Sequence, residues 1–174
     1  MKQYPKIVAI TGAESTGKSS LAKSLSEHYD VPFIAEYARE YIQNLNRKYS
    51  YEDVEAIARK QMEQYNELVQ SNFRIVFLDT WLLITKVWFE VVFNQTPEWM
   101  EAEIMNTRID LFLVCDTDLP WVADSVRENG GDNRDRLQEK YINEIKANNF
   151  KYHVIRGVDS ERVQGAIALV DKIL

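Results

Sequence analysis

The residues with the clearest capacity for chemistry stand near the start of the chain. Gly12-Ala13-Glu14-Ser15-Thr16-Gly17-Lys18-Ser19, followed by Ser20, satisfies the pattern of glycine, four residues, glycine, lysine and a hydroxyl residue. Glycines let successive backbone N–H groups point into one concavity, and a helix starting near Gly17 adds the partial positive charge of its N-terminus. Such a nest takes phosphate oxygens. Lys18 then reaches the β- and γ-phosphates, and the Ser19 hydroxyl is placed for a magnesium ion. A chance match in a glycine-bearing loop is the bland alternative, but an apolar strand before and an amphipathic helix after are the context the motif requires.

A nucleotide site of this kind needs a carboxylate at a neighbouring strand end. Arg74-Ile-Val-Phe-Leu-Asp79 supplies one, with four apolar residues and then Asp79. Asp79 is equally a capping residue for a helix beginning near Thr80, and the two roles are compatible. Further carboxylate, aromatic and guanidinium groups follow the second apolar run, in Glu36-Tyr37-Ala38-Arg39-Glu40-Tyr41. On a helix, Glu36, Arg39 and Glu40 share a face. They make either a grip for an acceptor hydroxyl or a plain surface ion-pair face. The polar stretch Arg127 to Arg136 holds Gly130-Gly131 and three arginines, Arg127, Arg134 and Arg136. It reads as a flexible loop, and residues 124–137 as a lid whose cations offset charge developing in phosphoryl transfer. Tyr37, Tyr41, Trp81, Trp88 and Trp121 are aromatic faces near candidate strand ends. Tyr37, Trp81 and Trp121 are the expected walls for a flat, cationic heterocycle; Trp88 reads as half-buried packing.

Short apolar runs at Lys6 to Thr11, Pro32 to Ala35, Arg74 to Asp79, Asp110 to Cys115 and Tyr152 to Arg156 have strand length. Between them lie stretches with helical spacing. Ser19 to Tyr29 carries Leu21, Ala22 and Leu25; Tyr51 to Ser71 carries Val54, Ile57, Ala58, Met62, Tyr65 and Leu68. Strands alternating with helices imply right-handed crossovers and a parallel sheet covered on both faces. The expected fold is a three-layer α/β/α sandwich of the P-loop NTPase kind, with about five strands and a nucleoside-kinase-like lid.

The 174 residues suit one domain, so residues 1–174 are expected to form a single unit. With 45% hydrophobic and 28% charged residues the chain can bury a core. Its net charge of −6 gives no basic face for nonspecific nucleic-acid binding. One cysteine, Cys115, excludes an internal disulfide and a four-cysteine zinc site and suits a reducing compartment. The lysine-bearing stretch Met1 to Lys6 precedes apolar residues only from Ile7 to Ile10, too few for a signal peptide or a membrane span. A cytoplasmic location is therefore expected, with no membrane and no nucleic-acid partner; exposed aromatics suit a dimer interface as readily as a pocket.

The segments Gly12-Ala-Glu-Ser-Thr-Gly-Lys-Ser-Ser20, Glu36-Tyr-Ala-Arg-Glu-Tyr41, Phe77-Leu-Asp-Thr80 and Pro120-Trp-Val-Ala-Asp-Ser-Val-Arg127 together resemble the ribosylnicotinamide kinase domain of NadR-type proteins. The likeness spans nearly the whole chain in the same order. It implies ATP-dependent phosphorylation of the 5′-hydroxyl of nicotinamide riboside to nicotinamide mononucleotide, in NAD salvage. It also implies a kinase domain on its own, since the phosphate loop begins at Gly12. In that reading Gly12 to Ser20, Arg134 and Arg136 hold ATP, Ser19 and Asp79 organise the metal, and Lys18 and Arg127 stabilise transfer. Asp79 or Glu36 is the base, with Asp79 slightly favoured, and Glu36, Tyr37, Arg39, Trp81 and Trp121 meet the substrate. The rival functions are a nucleotide-hydrolysing switch, which lacks the guanine-selective Asn-Lys-x-Asp string here, and a kinase of another nucleoside or of a monophosphate, for which Arg39 is an available cation.

Overall fold

The computed structural model describes residues 4–174; Met1 to Gln3, the start of the lysine-bearing N-terminal stretch, lie outside the described residues. Five strands, β1 (Lys6–Thr11), β2 (Phe33–Ile34), β3 (Ile75–Asp79), β4 (Leu111–Cys115) and β5 (Tyr152–Ile155), form one parallel sheet in the order β2-β3-β1-β4-β5. The second strand is shorter than its apolar run suggests. In the centre, Ile10 pairs with both Asp79 and Leu113, so the end of β1 opens beside the last residue of β3.

Alternation along the strands divides the core. Ile7 and Ala9 of β1, Val76 and Leu78 of β3, and Phe112 and Val114 of β4 face one layer; Val8, Ile10, Ile75, Phe77, Leu111, Leu113 and Cys115 face the other. The second layer is closed by α1 (Lys18–Tyr29), through Leu21, Ala22 and Leu25, and by α7 (Asp159–Val170), through Ala166, Ile167 and Val170. The first is closed by α3 (Tyr51–Val69), α4 (Leu82–Phe93), α5 (Glu98–Asn106) and α6 (Asp132–Ala147). Every strand residue of β3 and β4 is buried, as a sheet covered on both faces demands.

The short α2 (Tyr37–Gln43) is fixed from the start of α3. Ser50 caps α3 in a reciprocal box with Asp53, whose carboxylate also accepts from the Tyr41 hydroxyl at 3.0 Å and from Arg47. Tyr41 therefore anchors the helix that carries Arg39. One sequence expectation is corrected here: Arg134 and Arg136 do not belong to a flexible loop. Gly131, at φ 57°, admits the chain into α6, and both arginines lie on that helix. No described helix is long and apolar enough to cross a membrane.

Candidate active site

The loop from Gly12 to Gly17 turns directly off the end of β1. Gly12 adopts φ 138°, and a Cβ there would stand 2.6 Å from the Cys115 carbonyl, so the close approach of loop to β4 requires glycine. Ser15 and Gly17 both have positive φ, bringing the loop round to the N-terminus of α1. The loop is braced from outside. Gln138, buried on α6, accepts from Ala13 N at 2.8 Å and donates to the Cys115 carbonyl at 2.9 Å. Arg134, also buried, donates to the carbonyls of Glu14 and Ser15, both at 2.9 Å, and of Leu119 at 2.8 Å. Arg162 of α7 donates to the Thr16 carbonyl at 3.0 Å and pairs with Asp118. With the carbonyls of Glu14, Ser15 and Thr16 and the Ala13 N–H satisfied from α6 and α7, the loop is held in shape before any anion arrives. Lys18 Nζ rests on the Ala13 carbonyl at 2.9 Å.

A cavity opens in front of this loop at the carboxyl edge of the sheet. It is lined by Gly12, Glu14, Lys18, Glu36, Arg39 and Arg127 and by the apolar or aromatic side chains of Tyr49, Ile84, Trp88, Val91, Val92 and Tyr141. The Tyr49 and Trp88 rings meet edge to face at 4.9 Å. Glu36 sits at the N-cap of α2, 3.8 Å from Arg39. Thr80, the residue after Asp79, also lines the cavity and holds φ 63°, a strained conformation for a β-branched residue. Asp79 itself is 2% exposed, and its Oδ1 has no hydrogen-bond partner. Burial pushes its carboxyl up to about 6; the Ser19 side chain opposes this, and the Glu36 charge adds to it.

The sequence-derived positions thus separate by where the fold places them. Gly12, Glu14, Lys18, Glu36, Arg39 and Arg127 line one cavity, and Asp79 lies behind it beside Ser19. Arg134 donates to backbone carbonyls of the phosphate loop and of Leu119. Arg136 is exposed on α6 and Ser20 is exposed on α1; neither lines the cavity. The expected aromatic walls are also misplaced. Trp81 turns into the core against Tyr65, Phe112 and Phe150, and Tyr37 shares only a small crevice with it. Trp121 faces the phosphate loop, where its Nε1 donates to Glu14 at 3.2 Å. Trp88 is half-buried against the core, as its reading as packing expects, and it also lines the cavity together with Tyr49 and Tyr141. Asp124, Gln138 and Arg162 are site residues that the sequence reading passed over. Only Asp124 carried a signal, since it ends the segment Trp121-Val-Ala-Asp124.

A five-stranded parallel sheet, a glycine loop running into a helix and an acidic strand end define a P-loop α/β protein. Within that class the chain belongs to the AAA domain family, whose family model matches residues 7–162. It is similar to the trifunctional NAD biosynthesis/regulator protein NadR of Salmonella typhimurium, at 25% identity over 98% of this chain and 43% of that protein. It is likewise similar to NadR of Escherichia coli, at 27% over 86% of this chain and 38% of that protein. The chain therefore spans less than half the length of these curated relatives. A crystal structure of NadR protein in complex with NR superposes with a TM-score of 0.84 at 26% identity, covering 98% of this chain and 52% of that one. Deoxyadenosine kinase from M. mycoides shares the fold, with a TM-score of 0.67 at 15% identity over 95% of this chain and 99% of that one. The resemblance and the fold expected from sequence are both borne out.

Proposed function

We propose that the protein is a kinase that transfers the γ-phosphoryl group of ATP to the 5′-hydroxyl of nicotinamide riboside, giving nicotinamide mononucleotide. One observation carries the reading: a single cavity is lined both by the phosphate loop with Lys18 and by the rings of Tyr49, Trp88 and Tyr141, and the Glu36 carboxylate lines it too. Aromatic faces and carboxylates both favour a cationic ring over a neutral one. The similarity to a NadR protein solved with NR, nicotinamide riboside, supports the same acceptor.

The roles follow from position. Gly12 to Ser19 receive the phosphates through backbone N–H groups, and Lys18 leaves the Ala13 carbonyl to meet the β- and γ-oxygens. Arg127, on the cavity wall, offsets charge on the transferring group. Glu36 lines the cavity, whereas Asp79 is buried beside Ser19; Glu36 is thus the better placed to accept the hydroxyl proton, reversing the preference drawn from sequence. Ser19 and Asp79 suit a magnesium ion, because the buried, unpartnered Asp79 Oδ1 is an oxygen that lacks only a cation. When bound, that ion would neutralise phosphate charge. Arg39 is engaged by Asp124 at 2.9 Å and Glu36 at 3.8 Å, which favours a nucleoside over a monophosphate that needs a free cation.

The test is ATP consumption with nicotinamide riboside, ordinary nucleosides, nucleoside monophosphates or no acceptor. Strong preference for the riboside is the expected result. Equal hydrolysis without acceptor would instead identify a nucleotide switch, and preference for another acceptor would reassign the substrate.

A further inference from the structure

Glu14 places a negative charge inside a loop built to receive triphosphate, where like charges repel. Its contacts resolve the conflict. Oε1 accepts from Glu128 N at 3.1 Å and Asn129 Nδ2 at 3.0 Å, and Oε2 from Asn129 N at 2.9 Å and Trp121 Nε1 at 3.2 Å. Both carboxylate oxygens are thus spent on the segment after β4, and none of these donors belongs to the phosphate loop. The next residue acts in parallel. Ser15 Oγ accepts from Val122 N at 3.0 Å and donates to the Val122 carbonyl at 3.2 Å. Two adjacent loop side chains therefore pin the 121–129 segment at both its ends.

Arg127 lies between those pins. Glu128, the residue after it, gives its N–H to Glu14, and the Arg127 guanidinium donates back to the Val122 carbonyl at 2.6 Å. A Cβ on Gly130 would come within 3.2 Å of the Trp121 ring, so the segment is folded tightly on itself where it meets Glu14. The charge-assisted bonds are the strong kind. We propose that Glu14 is a positioning residue: it latches the 121–129 segment onto the phosphate loop, which fixes Arg127 over the transferring group and keeps water from competing with the acceptor. The proposal rests on the kinase reading given above, and it assigns the Glu14 side chain to the 121–129 segment while its backbone N–H stays in the phosphate nest.

Wild type, Glu14→Ala and Glu14→Gln are compared by amide hydrogen exchange across 121–131 and by steady-state transfer and hydrolysis. The expected result for Glu14→Ala is exchange at Glu128 and Asn129 faster by at least about tenfold, and a transfer kcat lower by roughly 10- to 100-fold. The KM for ATP should stay within about threefold, and hydrolysis without acceptor should rise relative to transfer. Glu14→Gln keeps one acceptor oxygen and should fall between. If Glu14→Ala does not fold, Ser15→Ala, which removes only the Val122 pair, must show the same direction of change at smaller size. Unchanged protection at Glu128 and Asn129 overturns the latch. Lost protection with kcat and coupling intact overturns the positioning role while leaving the kinase reading in place. If the wild type transfers to no acceptor, the kinase reading and the positioning role fall together, while the exchange comparison still decides whether Glu14 latches the segment.

Discussion

Arg39 Nη1 donates to Asp124 Oδ2 at 2.9 Å, tying α2 to the 121–129 segment across 85 residues of sequence. Asp124 is the pivot of that closure of one segment on the other. Its Oδ1 accepts the N–H groups of Val126 and Arg127, both at 2.9 Å, and its Oδ2 lies 3.2 Å from Arg127 Nε. One carboxylate thus orders the two arginines of the cavity, one from α2 and one from the 121–129 segment.

Removing that pivot should damage turnover more than stability. Asp124→Ala is expected to lower kcat by roughly 10- to 100-fold, because both arginines lose their common anchor. It should move the melting temperature by no more than about 3 °C, the scale of a surface substitution. The Val126 N–H, helped by Arg39 and the Arg127 N–H, holds the Asp124 carboxyl down to about 2. A folded value below the unfolded one means that its contribution is complete above about pH 4 and lost as pH falls towards 2. The closure should therefore be constant across neutral pH. Turnover and melting temperature measured together decide the matter, and a variant with full kcat would count against it.

Asp79 works in the opposite sense. With its carboxyl raised by burial to about 6, above the ordinary aspartate value, the folded protein binds this proton more tightly than the unfolded chain does. Its stabilising effect is complete below about pH 4 and disappears as pH rises through 6. In metal-free buffer at pH 7.5, Asp79→Asn should therefore stabilise the protein, by up to about 3 kcal/mol. It should also flatten the loss of stability between pH 4 and 6 and abolish phosphoryl transfer. Chemical denaturation across that pH range is the measurement; a destabilised Asp79→Asn would sink the argument.

What was legible in the sequence was what is local. Gly12 to Ser19 and Asp79 declare themselves because loop, strand end and helix start are contiguous, and the strand alternation follows from runs of apolar residues. The aromatics that line the cavity were not legible, because proximity along the chain does not give proximity in space. Trp81 follows Asp79 closely, yet at the N-cap of α4 its side chain enters the core. Trp88 lies almost two turns on, and Ile84, Trp88, Val91 and Val92 form the three- and four-residue stripe that faces the cavity. The start of α6 was hidden for a related reason. Arg134, Leu137, Gln138 and Tyr141 have helical spacing and are all buried, but two of the four are polar. Their burial depends on backbone groups of the phosphate loop, which no local pattern announces.

Lys86 tests how the apolar lining of the cavity is held. It is buried on α4 and reaches Glu144 on α6 at 2.6 Å, Glu101 on α5 at 2.9 Å and Glu90 at 3.4 Å. Burial works against its charge, but the bonds to Glu144 and Glu101 outweigh it and raise the pKa. Lys86→Ala leaves three carboxylates facing one another and should cost on the order of 2 kcal/mol, less than a fully buried pair because two partners are exposed. The melting temperature should fall by about 4–8 °C. Lys86→Met, which keeps the volume, should lose less. Turnover well below the melting temperature should be retained in both, since Lys86 does not line the cavity.

Gln138 offers the most direct test of the bracing behind the phosphate loop. Its side chain bonds directly to both Ala13 N–H, at 2.8 Å, and the carbonyl of Cys115, at 2.9 Å, in a buried setting. Gln138→Leu keeps most of the volume and strips both bonds, leaving two backbone groups without partners at a cost on the order of 3 kcal/mol. The Ala13 peptide is then free to turn, so the N–H nest meets its anion less well organised, and binding must supply the ordering that Gln138 now provides. The expected outcome is a raised dissociation constant for ATP, by roughly tenfold, alongside the lowered stability. Gln138→Glu separates the two effects. It can still accept from Ala13 N–H but cannot donate to Cys115, and it sets a negative charge behind the loop, so its ATP affinity should fall further than that of Gln138→Leu. Calorimetric titration of both variants checks the order, and equal affinities in the three proteins would show that the loop keeps its shape without Gln138.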